Sequence, residues 1–240
     1  MGYLIDFHSH ILPMCDDGSD SVETSLKILE LSAAQGVRHL FATPHFYAHK
    51  DSLEVFLERR ARGESNLREA MRAHPQLPDF TVGAEVYYFR GMSESESLHQ
   101  LTLGNTPYIL VEMPVTAWKD SMYRELEQIH EKQGITPLIA HVERYFGAIS
   151  THGILERLSA LPVLVQSNAE FFLDRKTSAK AIRLLKKGQI HLLGSDCHNL
   201  TSRVPNLGPA MELIIRRAGE NTAGRIHSIG NAIFADGGND

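Results

Sequence analysis

Residues 3–10 read Tyr3-Leu4-Ile5-Asp6-Phe7-His8-Ser9-His10, a short apolar run that ends in two histidines two positions apart. Successive side chains of a strand point to opposite faces, so residues i and i+2 share a face and both imidazoles can reach one ion. The last apolar run, 190–194, leads into Ser195-Asp196-Cys197-His198, where Asp196 and His198 repeat that spacing. Runs between them also end on ligand-type residues. The run 37–42 leads to Thr43-Pro44-His45, 80–84 to Glu85, 108–111 to Glu112 and 136–140 to His141, and the loop after the first run adds Asp16-Asp17-Gly18.

Strands are predicted at 3–7, 37–42, 80–84, 108–112, 136–140, 163–166 and 190–194. Helices are predicted at 21–35, 51–73, 117–133, 154–160, 179–187 and 209–217. In the first of these, Leu26, Leu29 and Ala33 fall at helical spacing and Gly36 follows as a stop. Strand–helix alternation of this kind predicts a parallel sheet with right-handed crossovers. Short apolar strands without alternation fit a sheet buried on both faces. An open doubly wound sheet and a closed barrel both satisfy the pattern. An open sheet strings its strand ends along a line, whereas a barrel gathers them at one mouth, so the repeated His, Asp and Glu ends favour a barrel.

Composition bounds the function. The 240 residues, 42% hydrophobic and 22% charged, suffice for one larger domain with a full core. Two cysteines, Cys15 and Cys197, provide no disulfide framework. A formal charge of −5 argues against a nucleic-acid partner. The opening residues lack the basic and apolar regions of a signal peptide, and no run approaches the ~18 apolar residues of a membrane span, so a cytoplasmic location is expected. Segment 235–240, with two glycines, is expected to be loose. Thirteen histidines beside 29 acids suggest a site of nitrogen and oxygen ligands, suited to Mn²⁺, Fe²⁺, Co²⁺ or Zn²⁺. Of the others, His74, His99, His130, His152 and His227 are expected to face solvent and His39 and His191 to pack within strands, while His49 follows the His45 loop, within reach of a substrate.

The motifs His8-Ser9-His10, Asp16-Asp17-Gly18, Thr43-Pro44-His45, Gly83-Ala84-Glu85, His141-Val142-Glu143-Arg144-Tyr145 and Ser195-Asp196-Cys197-His198-Asn199 together resemble the PHP (polymerase and histidinol phosphatase) superfamily. The closer resemblance, over residues 5–203, is to its manganese-dependent bacterial tyrosine-phosphatase branch of the CpsB/YwqE type. This implies an α/β fold, a distorted (β/α)7 TIM-like barrel in a single domain over 1–240. It also implies three divalent ions, Mn²⁺ foremost. His8, His10, Glu85 and Asp196 would take the first ion. Glu112 and His141 would take the second, with Glu85 bridging, and Asp17, His45 and His198 the third. Arg144 and Arg203 would be the catalytic residues that contact phosphate. The implied reaction is hydrolysis of phosphotyrosine on a bacterial tyrosine autokinase of capsule or exopolysaccharide synthesis, by metal-activated hydroxide. Alternatives are a histidinol-phosphatase-like or nuclease activity, or a catalytically silent metal-binding scaffold.

A competing chemistry lies in the same segment, since Cys197 and Arg203 match the C-x5-R signature of cysteine-based tyrosine phosphatases. No glycine stands between them to let backbone amides converge on a phosphate. A residue between two same-face ligands also points to the opposite face.

Overall fold

A computed structural model of the chain describes residues 3–148 and 150–237, without the side chains of Thr151 and His152. Its elements are β1 (Leu4–Ser9), α1 (Val22–Ala34), β2 (Val37–Ala42), β3 (His45–Phe46), α2 (Leu53–Met71), β4 (Asp79–Val82), β5 (Glu85–Tyr87), β6 (Tyr108–Glu112), α3 (Asp120–Gln133), β7 (Thr136–Ile139), α4 (Thr151–Ser159), β8 (Leu164–Asn168), α5 (Ala169–Leu173), α6 (Ser178–Lys186), β9 (Leu192–Gly194), α7 (Leu207–Ala218) and α8 (Glu220–Asp236). The strands pair in the orders β1-β2-β4 and β3-β5-β6-β7-β8-β9, all parallel. Just past β9, Cys197 pairs in parallel with Ser9, which joins the two groups and curls the sheet. The join is built of backbone bonds, Asp196 N–H to His8 O at 2.7 Å and His10 N–H to Cys197 O at 2.9 Å. The parallel α/β class agrees with the alternation in the sequence, and the curl agrees with the ligand-type strand ends that favoured a barrel over an open sheet.

Nine strand segments stand where seven strands were expected. The break between β2 and β3 falls at Pro44, which has no N–H to offer a ladder. Backbone bonds carry on across it, from Gly83 N–H to Ala42 O at 2.8 Å and from Glu85 N–H to Pro44 O at 3.1 Å. Phe7, Phe41, Leu110, Leu138 and Leu192, one each from β1, β2, β6, β7 and β9, form one buried cluster. Each precedes a strand-end His, Asp or Glu by a few positions, so an apolar layer lies beneath the polar edge. The helices cover the other side. On α3, Met122, Tyr123, Leu126 and Ile129 are buried, the one-sided stripe of an amphipathic helix.

Among the described residues two helices were not expected, the short α5 directly after β8 and the long α8. Gly219, at φ 87°, ends α7 in a conformation that favours glycine, and the chain restarts as α8. Ala223, Ile226 and Ile233 face inward from α8. Ala235 and Asp236, expected in a loose tail, are therefore helical, and residues 238–240 lie outside those described. His227, expected to face solvent, is instead half-buried beside Tyr3. The side chain of His152 is outside the described set. Among the described residues, no helix is long and apolar enough to cross a membrane.

His39 is buried in β2, as its place in a strand suggested, with its ring 4.4 Å from that of Phe234 and Nε2 2.9 Å from Thr81 Oγ1. Burial pushes its pKa down to about 4. The unfolded chain therefore takes up this proton first as pH falls, so the stability His39 contributes is intact above about pH 6.5 and is lost toward pH 4. Replacing it by glutamine is expected to remove on the order of 2–3 kcal/mol of that acid sensitivity. Urea unfolding at pH 7 and pH 4.5 checks this, and an unchanged difference between the two variants would contradict it.

Candidate metal centre

The nine candidate residues, eight at strand ends and Asp17 in the loop after β1, come together at the edge where the parallel strands finish. His8, His10, Glu85, Glu112, His141, Asp196 and His198 are buried. His45 is nearly so, and Asp17 stands at the rim with a side chain 70% exposed. His8 Nε2 lies 3.1 Å from His10 Nε2 and from Glu85 Oε2, and 3.4 Å from Asp196 Oδ1. His10 Nε2 lies 3.3 Å from Glu85 Oε2 and 3.4 Å from Asp196 Oδ1. Donors about 2.1 Å from one ion stand roughly 3–3.4 Å from each other, so these four atoms have the spacing of a coordination shell. Glu85 Oε2 and Asp196 Oδ1 are also buried without a properly directed hydrogen bond. Oxygens of that kind are costly unless a cation or donor meets them. The residues present fit a divalent ion.

Two further groupings adjoin this one. His141 Nε2 is 2.7 Å from Glu85 Oε1 and 3.6 Å from Glu112 Oε1. Asp17 Oδ1 lies 3.5 Å from His45 Nε2 and 3.7 Å from His198 Nε2, while His45 Nδ1 turns back to Glu85 Oε2 at 2.9 Å. Two of these residues sit in strained backbone. Asp196 (φ 53°) and His141 (φ 31°) are left-handed, an uncommon state for residues other than glycine. This corrects one expectation. Asp196 and His198 do not share a strand face, because β9 ends at Gly194 and the turn at Asp196 brings His198 inward. Gly194 permits close packing there, since a Cβ on it would lie 2.4 Å from His8 Cβ and 2.8 Å from Gln166 Nε2.

Three histidines have Nδ1 set against an acceptor. His10 Nδ1 meets Asp16 Oδ2 at 2.7 Å, His198 Nδ1 the carbonyl of Asp196 at 3.0 Å, and His8 Nδ1 faces Gln166 Oε1 at 3.4 Å. Each acceptor favours the Nδ1–H tautomer and leaves the Nε2 lone pair for a metal. Sequence reading passed over Asp16 for its neighbour. Asp16 also accepts the N–H groups of His45 and Gly18, at 2.9 Å each. The only signal was its place in the same Asp-Asp-Gly motif.

The electrostatics follow from packing acids among imidazoles. Burial opposes the Glu85 and Asp196 carboxylates, but the adjacent histidines outweigh it and hold both well below the usual range. Burial, then the charge of Glu85, pushes Glu112 up to about 7. Burial, then the positive charge of His10 and Arg203, pushes His198 down to about 3. Arg144 and Arg203 bracket Asp196. Arg144 Nη2 donates to Oδ2 at 2.6 Å, and Arg203 Nη2 lies 2.5 Å from Oδ1. Both line a cleft of about 380 Å³ beside the cluster. Cys197 is fully buried, and burial pushes its thiol up to about 12. A thiol in that state is a poor nucleophile. His49 is exposed with its ring 5.8 Å from Tyr47, whose ring is 5.2 Å from His45.

Residues 4–233 match the family model for capsular polysaccharide synthesis proteins CpsB/CapC. The tyrosine-protein phosphatase CpsB of Streptococcus pneumoniae is 32% identical over 235 residues, which cover 92% of this chain and 93% of that protein. Its namesake from Streptococcus agalactiae serotype V is 30% identical over 233 residues, covering 93% and 94%. Among solved structures, the chain superimposes with a TM-score of 0.87 and 22% identity, over 97% of its length and 95% of the other, on a chain from the crystal structures of YwqE from Bacillus subtilis and CpsB from Streptococcus pneumoniae, described as unique metal-dependent tyrosine phosphatases. From this full-length match the chain belongs to the CpsB/CapC family of capsular polysaccharide synthesis proteins.

Proposed function

We propose that this chain is a metal-dependent phosphatase that hydrolyses phosphotyrosine on a protein, a bacterial tyrosine autokinase linked to capsule or exopolysaccharide synthesis, in the cytoplasm. The observation that carries the proposal is the tight four-donor group of His8, His10, Glu85 and Asp196 with two arginines at one cleft beside it. His8, His10, Glu85 and Asp196 would hold one ion, Glu112 and His141 with Glu85 a second, and Asp17, His45 and His198 a third. Mn²⁺ is the first choice and Fe²⁺, Co²⁺ and Zn²⁺ the alternatives. We read β2 with β3, and β4 with β5, as single staves, which gives a (β/α)7 barrel formed as one domain by residues 1–240.

When bound, divalent ions would supply an acidified water and positive charge against phosphoryl oxygens. The chain's own part is placement. Arg144 and Arg203 both line the cleft, and a planar guanidinium fork can grip phosphoryl oxygens two at a time. In the transition state the phosphoryl group flattens and its charge is spread over three oxygens, so donors fixed for that shape stabilise it more than the bound substrate. The leaving phenolate has a pKa of about 10 and needs little help from an acid.

Activity on a phosphotyrosine peptide, histidinol phosphate and single-stranded DNA tests the substrate class. The peptide is expected to be the best substrate, and preference for either of the others would redirect the assignment. A Cys197→Ser variant is expected to keep activity within about threefold of the parent, because the thiol is buried and protonated. An inactive but folded variant would favour the cysteine mechanism.

A further inference from the structure

Strand β8 ends Gln166-Ser167-Asn168 and supplies none of the nine ligand-type residues. All three are nonetheless buried, and buried amides are stable only when their polar atoms are paired. Their partners belong to the metal centre. Gln166 Oε1 accepts the backbone N–H of His141 at 2.7 Å and faces His8 Nδ1 at 3.4 Å. Gln166 Nε2 donates to Asn168 Oδ1 at 3.1 Å, and Asn168 Nδ2 donates to Asp196 Oδ2 at 2.7 Å. Glu143 anchors the strand end, accepting Asn168 N–H at 3.0 Å and the Ser167 hydroxyl at 2.9 Å.

The chain of bonds has one direction. A backbone N–H can only donate, so the Gln166 atom facing His141 is the oxygen. The Gln166 nitrogen must then donate to Asn168, which leaves the Asn168 nitrogen for the Asp196 carboxylate, an acceptor. Because Gln166 Oε1 accepts, His8 carries its proton on Nδ1 and offers Nε2 to the cluster. The single backbone and side-chain network therefore touches His8, His141 and Asp196.

We infer that Gln166 and Asn168 are positioning residues, an amide relay that fixes the His8 tautomer, the His141 backbone and the Asp196 carboxylate for metal binding. The inference rests on the metal-centre reading above. It gives β8, which holds none of the nine ligand-type residues, a share in the site.

Titrating Mn²⁺ into the metal-stripped full-length chain by calorimetry tests it. Gln166→Met removes the acceptor and Asn168→Ala the donor. Each is expected to weaken Mn²⁺ binding by about 10–100-fold, the usual effect of losing an outer hydrogen bond to a ligand. Ile214→Val, which trims the buried core on α7, serves as the control for lost stability and is expected to leave the affinity within about twofold. If Gln166→Met fails to fold, Asn168→Ala alone decides. Variants that bind Mn²⁺ as tightly as the parent would overturn the relay and leave the metal centre standing. A parent chain that binds no divalent ion would overturn both.

Discussion

Replacing Glu85 by glutamine is expected to lower kcat/KM on p-nitrophenyl phosphate at saturating Mn²⁺ by at least about a thousandfold. Glu85 is set against four histidines of the cluster, Asp196 against three. Glu85 Oε2 lies within 3.1–3.3 Å of His8 and His10 Nε2 and 2.9 Å from His45 Nδ1, while Oε1 lies 2.7 Å from His141 Nε2. A glutamine has nearly the same shape but loses the negative charge, and it sets an N–H donor against nitrogen lone pairs meant for metal. Hydrophobic packing stays intact, so the folded chain should persist. The loss is expected to appear in ligand linkage as well. An ion at a thousand times its Kd stabilises a protein by about 4 kcal/mol, and the Mn²⁺-dependent rise in melting temperature should shrink with the affinity. Activity above a tenth of the parent would contradict the central place given to Glu85.

Arg144→Ala is expected to lower kcat by about 100–1000-fold at saturating Mn²⁺. The guanidinium is 37% exposed, open to the cleft, and fixed by Asp196 Oδ2 at 2.6 Å and by His141 Nε2 at 3.3 Å. Its pKa is raised: burial works against the cation, but Asp196, Glu85 and Glu112 outweigh it and keep it charged. Arg144→Lys is expected to recover only part of the loss, since a point charge cannot reproduce a two-pronged contact. Steady-state kinetics combined with inhibition by inorganic phosphate checks this. Weaker phosphate inhibition should accompany the fall in kcat, and an alanine variant within threefold of the parent would remove Arg144 from the site.

Much of this was legible in the sequence because strand periodicity and metal chemistry both leave short patterns. An i, i+2 histidine pair at the end of an apolar run marks His8 and His10, and parallel strands carry all such ends to one edge. Other features depend on contacts between distant residues. Asp16 and Asp17 are alike in the chain, yet Asp16 turns inward to His10 while Asp17 stays at the rim. The left-handed turn at Asp196 is set by tertiary packing, so His198 reaches the cluster by a turn and not by the strand rule that singled it out. Gln166 and Asn168 carry no ligand chemistry of their own, and only their bonds across 25 and 28 positions give them a place in the site. Helix α8 escaped because Thr222 and Gly230, both poor helix formers, share its buried face, so Ala223, Ile226 and Ile233 read weakly until packed.

The most direct measurement is hydrolysis of a phosphotyrosine peptide by the chain stripped with EDTA and dialysed, before and after Mn²⁺ is returned. The stripped chain is expected to fall to background and to recover fully on reconstitution. A stripped chain that keeps full activity would contradict a metal-dependent phosphatase.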